Sequence, residues 1–162
     1  MTTDRIEKRI LLHAPLERVW SAISDSREFG IWFGVKFDGP FAEEADLTGI
    51  IVPTTVDAQV ARLQEPHAGK AFRFTVERIE PMRRCRFRWH PFAIDPRVDY
   101  STEPTTLIIF ELDPRKDGVQ LTISESGFDR LPAARRASAY AANDGGWTHQ
   151  TRVIEKYLTL KS

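Results

Sequence analysis

Two carboxylates fall on faces that otherwise read as apolar, and such a carboxylate is a candidate proton donor or acceptor. Glu125 has the parity of Val119, Leu121 and Ile123 in an alternating run, and Asp144 shares a helical stripe with Tyr140 and Trp147. Removal from water disfavours the charged form, raises the pKa and suits such a group to acid or base work. The competing reading is structural: strands and helices lose their faces near their ends, so both groups would reach water.

Other reactive side chains give weaker signals. His13, His67, His90 and His149 are scattered without metal-ligand spacing. His90 follows Trp89 and takes the parity of the opposite, arginine-bearing face, where a surface role is expected. Cys85 shares the inward parity of Phe87 and Trp89 and reads as a buried structural thiol rather than a nucleophile. Arg84, Arg86 and Arg88 form a cationic row that reads as a solvated face, the alternative being a docking surface for an acidic partner. The sequence has no Gly-x-Ser-x-Gly elbow, no Walker sequence and no dinucleotide fingerprint. No nucleophile–base pair or metal set emerges, so neither a cofactor nor autonomous catalysis is expected. The rival reading is a cyclase- or hydrolase-like enzyme using Glu125 or Asp144 with Tyr140.

Composition narrows the partners. The 162 residues suit one domain, 1–162, able to bury a core without disulfides. Lys and Arg number 23, as do Asp and Glu, which argues against nucleic acid as the main partner. A lone cysteine excludes an internal disulfide and suits a reducing compartment. The start, Met1-Thr2-Thr3-Asp4-Arg5, has no apolar leader segment, and no apolar run approaches the ~18 residues of a membrane span. A cytoplasmic protein without membrane insertion is expected, its oligomeric state left open.

The elements that must position these groups follow from periodicity. Residues 5–13 read as a strand ended by Ala14-Pro15, and Val19, Trp20 and Ile23 follow at helical spacing. Asp25 and Ser26 can cap a second short helix leading to Trp32-Phe33. Val35–Phe37 and Leu47–Val52 read as short strands around Gly39-Pro40. Pro53–Lys70 has no clear period and reads as a long connection. Phe72, Phe74 and Val76, then Cys85, Phe87 and Trp89, alternate with polar residues and predict a half-buried hairpin. Residues 91–105 hold Pro91, Pro96 and Pro104 and cannot be a central strand. Thr106–Leu112 and Gly118–Glu125 predict a second hairpin. From about Pro132 to Leu160 a helix is expected, its inward stripe being Ala137, Tyr140, Asp144, Trp147, Thr151, Ile154 and Leu158. Gly145-Gly146 interrupts it, either for close approach to the sheet or for a slight bend.

Several short motifs, in this order and spacing, resemble one family. They are Ala14-Pro15 before Val19-Trp20, then Trp32-Phe33, Ile79-Glu80-Pro81 and Phe87-Arg88-Trp89-His90-Pro91. Asp99-Tyr100-Ser101, Glu103-Pro104-Thr105-Thr106, Glu125-Ser126-Gly127-Phe128, and Asn143 with Gly146-Trp147 complete the set. From about residue 4 to 160 the chain resembles bacterial proteins related to the activator of Hsp90 ATPase, within the START/Bet v 1-like (SRPBCC) superfamily. The resemblance implies an α+β helix-grip fold: a curved antiparallel β-sheet wrapped around a long C-terminal α-helix, two short helices after the first strand, and a cavity between sheet and helix. The family pattern has leucine four residues after the helix tryptophan, where this chain has Thr151.

The expected function is binding of a small, largely apolar molecule in that cavity. Its expected lining is Trp32, Phe33, Phe37, Phe74, Phe87, Trp89 and Phe110 from the sheet and short helices. Glu125, and Tyr140, Asp144, Trp147 and Thr151 from the helix, complete it. Of two irregular stretches that could form an entrance, 53–70 and 91–105, the second is favoured with Tyr100 covering it, the alternative being that Asp99-Tyr100-Ser101 only pins that connection. Chaperone interaction rests on the family name alone, and no binding to an Hsp90-type chaperone is expected.

Overall fold

Each strand of the protein has one apolar face, and the sheet is what pairing them produces. The structure, a computed structural model, describes residues 4–95 and 97–160. Pro96 and the first three residues, used above in reading the connection and the start of the chain, lie outside the described residues.

β1 (Arg5–Leu12) is followed by α1 (Leu16–Ser24) and α2 (Ser26–Phe33). Asp25 separates the two helices and caps the second, its carboxylate accepting from the amides of Arg27 and Glu28 at 2.8 and 3.3 Å. Gly34 ends α2 in the left-handed region at φ 97°, so the chain turns directly into β2 (Val35–Phe37). β3 (Asp46–Ile51), β4 (Ala71–Glu80), β5 (Arg84–Trp89), β6 (Thr106–Arg115) and β7 (Gly118–Ser126) follow. The seven strands form one antiparallel sheet in the order β1-β7-β6-β5-β4-β3-β2. The register between β4 and β5 shifts between Val76 and Arg78, a bulge of the kind that increases local twist.

Two of the three arginines on the outer face are held in ion pairs. Arg84 lies 2.9 Å from Glu80 and 3.5 Å from Glu111, and Arg88 pairs with Glu77. Such half-exposed pairs contribute little stability each, but they neutralise Arg84 and Arg88 in place, while Arg86 between them makes no ion pair among the described residues.

The stretch 53–70 differs from its reading as an irregular connection. It contains α3 (Ala58–Gln64) and a 3-10 turn, Glu65–His67. Asp57 caps this helix, accepting from the Val60 amide at 3.0 Å. Val60 is its only buried residue, so two turns of helix leave no apolar period to detect.

α4 (Ala133–Leu160) is 28 residues long, roughly 42 Å at 1.5 Å per residue. Its buried residues are Ala139, Trp147, Gln150, Val153, Ile154, Tyr157 and Leu158. The expected stripe is correct from Trp147 onward at Ile154 and Leu158, but its first half is displaced. Ala139 rather than Tyr140 is buried, and Asn143, not Asp144, turns toward the sheet. Adjacent stripes on a 3.6-residue helix differ by one position, and spacing alone does not choose between them. Gly145 and Gly146 lie within the continuous helix, and a Cβ on either would meet nothing within 4 Å. Close approach to the sheet is therefore not their role.

Between sheet and helices lies a packed aromatic core. Phe29 sits at its centre, its ring centroid 4.7 to 6.2 Å from those of Trp32, Phe33, Phe37, Phe41, Phe74, Phe87 and Phe110. Cys85 is fully buried beside α1, its Sγ 3.9 Å from the Ile23 carbonyl, and burial pushes its thiol up to about 12. At that value the thiolate is scarce at neutral pH, which fits a structural thiol.

Candidate functional site: a buried carboxylate beside an apolar cavity

Register explains how one carboxylate gathers its partners. Glu125 on β7 lies opposite Ile108 of β6 and Ile6 of β1, on the inward face. Trp89 and Thr106 are cross-strand partners on β5 and β6, one diagonal step away. The Trp89 Nε1 and Thr106 Oγ1 both donate to Glu125 Oε2, at 2.7 and 2.5 Å. From the other side, Asn143 and Trp147 stand one turn apart on α4 and share a face. Trp147 Nε1 donates to Oε1 at 2.8 Å, and Asn143 Nδ2 reaches both oxygens at 2.9 and 3.1 Å.

Glu125 and Thr106 are 0% exposed and Trp147 is 3% exposed. Every partner offers a donor, the complement of an ionised carboxylate. Among the described residues no lysine, arginine or histidine pairs with Glu125, and its carboxyl group is met by hydrogen bonds alone. Trp89 and Trp147 also stack on each other, with centroids 5.9 Å apart.

Next to this network a cavity of about 290 Å³ opens at the β2–β3 side of the helix. Phe33, Gly34 and Val35 form one wall, and Ile51, Phe72 and Trp89 come from the sheet. Leu63, Gln64 and His67 come from α3 and the turn after it, and His90 from the end of β5. Phe92, Ala93 and Ile94 supply the loop wall, and Ala142 and Asn143 supply α4. Its corner is fixed by close approach. A Cβ at Gly30 would stand 2.1 Å from the Val35 carbonyl oxygen, and one at Gly34 would stand 2.5 Å from the Gln64 amide. Gln64 is committed at both ends, donating to the Phe33 carbonyl and accepting from the Thr54 amide, each at 2.8 Å.

The residues singled out in the sequence divide into separate environments. Phe33 and Trp89 line the cavity, and Glu125 and Trp147 form the network behind it. Trp32, Phe74, Phe87 and Phe110 are at most 1% exposed and pack ring against ring in the core, and Phe37, only partly buried, packs against the same cluster. They fill the space between sheet and helix, so the cavity lies at one end of that interface rather than along it.

Tyr140 stands elsewhere, donating to the Arg5 carbonyl at 3.1 Å and packing on Phe128. Asp144 pairs with Lys8 at 2.9 Å, its side chain 46% exposed. Both belong to the α4–β1 side, and neither hydrogen-bonds to Glu125. Their displacement follows from the one-position offset of the helix stripe. Thr151 turns its hydroxyl onto the Thr148 carbonyl at 2.8 Å, within its own helix.

Tyr100 does not line the cavity. Its hydroxyl accepts from the Asp95 amide at 3.2 Å, and the Arg135 guanidinium lies 4.7 Å from its ring centroid. Arg135 also donates to Glu103 and to the carbonyls of Pro91 and Phe92, tying the 91–105 connection to α4. Phe92, at φ 52°, holds a backbone conformation uncommon for a bulky residue at the cavity rim.

Sequence reasoning missed Asn143 and Thr106 as partners of Glu125, and His67, His90 and Phe72 as cavity lining. Asn143 and Thr106 were visible only as parts of the motif set. His67 had no signal, because its turn lies in a stretch without period.

The matched family model, residues 13–159, is that of the activator of Hsp90 ATPase homolog 1-like proteins. The chain belongs to this family, and with it to the START/Bet v 1-like superfamily of helix-grip folds. Protein MLL2253 from Mesorhizobium loti is similar in structure, with a TM-score of 0.70 and 22% identity over 98% of each chain. A protein from Arthrobacter aurescens has a TM-score of 0.73 at 15% identity, covering 97% of this chain and 87% of its own. DynU16, a protein in the dynemicin biosynthetic locus, gives a TM-score of 0.67 at 22% identity over 96% of this chain. This chain spans about half of DynU16, 47% of its length. No curated protein matches the sequence. Among the described residues, no helix is long and apolar enough to cross a membrane.

Proposed function

We propose that the protein binds a small, largely apolar molecule in the cavity between Phe33, Trp89 and α4, and does no chemistry on it. The observation that supports this most is the cavity itself: apolar walls from seven helices and strands with a few polar groups among them, the usual form of a small-molecule site. Its volume stands near the low end of the roughly 300–1,000 Å³ range of such sites. The enzyme reading is weakened by the same geometry. Both oxygens of Glu125 are occupied by donors, and Tyr140 and Asp144 are engaged on the other side of α4. A chaperone-interacting role has only the family description behind it.

Fluorescence titration with N-phenyl-1-naphthylamine tests the proposal. Ala142 lines the cavity from α4, and Ala142→Trp should fill it and weaken dye binding more than tenfold with little change in melting temperature. Dye binding that survives this change would put the dye, and the function, elsewhere.

Ligand exchange is proposed to pass the 91–105 connection, whose residues 92–94 form a wall of the cavity. Tyr100→Ala removes a ring held under Arg135 and should speed dye dissociation several-fold while leaving the melting temperature nearly unchanged. Unaltered exchange with a large loss of stability would make Tyr100 a structural pin.

A further inference from the structure

The two histidines at the cavity are fixed in opposite tautomers by their neighbours. Lys70 Nζ lies 3.0 Å from His67 Nδ1 and 3.2 Å from the Ile94 carbonyl. An ammonium only donates, so Nδ1 of His67 accepts, and the ring proton of the neutral imidazole sits on Nε2. Burial and the Lys70 charge both push the pKa of His67 down, which keeps the ring neutral. His90 has the reverse arrangement. Its Nε2 lies 3.2 Å from the Glu103 carbonyl, which only accepts. Nε2 of His90 therefore carries a proton, and in that tautomer Nδ1 is the acceptor.

The other polar side chains of the wall are Gln64 and Asn143. Gln64 uses both ends of its amide within the protein, and Asn143 commits its Nδ2 to Glu125. Around them Phe33, Phe72, Trp89 and Phe92 supply aromatic surface, with Phe33 and Phe72 centroids 6.0 and 6.2 Å from that of Trp89. Aromatic walls of this kind favour an aromatic guest in offset or edge contact.

We infer that the cavity selects a neutral aromatic molecule bearing both a hydrogen-bond acceptor, met by His67 Nε2–H, and a hydrogen-bond donor, met by His90 Nδ1. A carbonyl and a hydroxyl on one small ring system satisfy that description. The inference rests on the proposed ligand-binding function and gives it a chemical class.

Titration of the intact protein with naphthalene, 2-acetylnaphthalene, 2-naphthol and 6-acetyl-2-naphthol separates the two ideas. One buried hydrogen bond is worth about tenfold in affinity, so the acetyl and hydroxyl groups should each tighten binding by about that factor. His67→Phe should erase the acetyl increment and keep the hydroxyl increment. His90→Phe should do the reverse, and the double variant should bind the four probes alike. Circular dichroism checks that each variant is folded. If naphthalene binds but the increments are absent, or persist unchanged in the variants, the histidine pair is overturned while the cavity stands. If the folded wild-type protein binds none of the probes, both the pair and the ligand-binding reading fall.

Discussion

Glu125→Ala should destabilise the protein by about 3–5 kcal/mol. The alanine takes away the common acceptor of Trp89, Thr106, Asn143 and Trp147. Each buried donor left without a partner costs about 1–3 kcal/mol, and hydrogen bonds to a charged group are the stronger kind. The contributions do not add, because Trp89 and Asn143 reach the cavity and can find water there. Thr106 and Trp147 have no such escape. Glu125→Gln should cost less, since its amide keeps one acceptor oxygen, yet its NH₂ then faces donors. Urea unfolding of the two variants measures both effects. A loss below about 1 kcal/mol for alanine would mean that the network contributes specificity rather than stability.

That alternative has physical substance, because burying a carboxylate carries a desolvation cost that its donors must first offset. What the network does beyond stability is positional. It fixes α4 against β5, β6 and β7 at one rotation, with Asn143 inward and Asp144 outward. A purely apolar contact at this point would tolerate the neighbouring stripe, in which Asp144 and Tyr140 face the sheet. The carboxylate accepts one arrangement only.

This explains what could be read from the sequence and what could not. Both hairpins were legible because their inner residues alternate strictly, and the long helix because its last four turns carry large apolar groups. The rotation of its first half was not legible, since Asn143 and Asp144 differ too little in hydropathy to mark a face. What decides it is Glu125, a residue 18 positions earlier in the chain, and pairing across that distance leaves no periodic trace. The motif set contained the answer in another form. Trp89, Thr106, Glu125, Asn143 and Trp147 all belong to the segments that carry the family resemblance, and the structure makes them one hydrogen-bond network. The cavity was harder to read, because inward parity does not distinguish a packed ring from one that lines a void. Phe74, Phe87 and Phe110 share the parity of Trp89, but Phe29 reaches down from α2 and fills the space above them.

Phe29→Ala should accordingly cost about 3–5 kcal/mol, the range for truncating a buried aromatic. The ring is 1% exposed and meets seven other aromatic rings. Aromatic pairs at these separations add to simple area burial, so the loss should fall toward the upper end of that range. All of these neighbours but Phe41, which lies between β2 and β3, are anchored on four strands and on α2, which limits how far they can collapse into the gap. A void should therefore persist at the centre of the core. Phe29→Leu keeps much of the volume and should cost roughly half as much. The comparison is decisive in a second way, because the ring separates the packed core from the cavity wall at Phe33, whose centroid is 5.0 Å away. If the alanine variant stays folded, xenon or benzene should enter the new void, while dye binding at the Trp89 cavity should persist. Loss of dye binding with retained fold would mean that Phe29 positions Phe33, and that core and cavity form one continuous packing unit. A loss of stability below about 1 kcal/mol would show instead that the surrounding rings close over the gap, and that the core is not packed around Phe29.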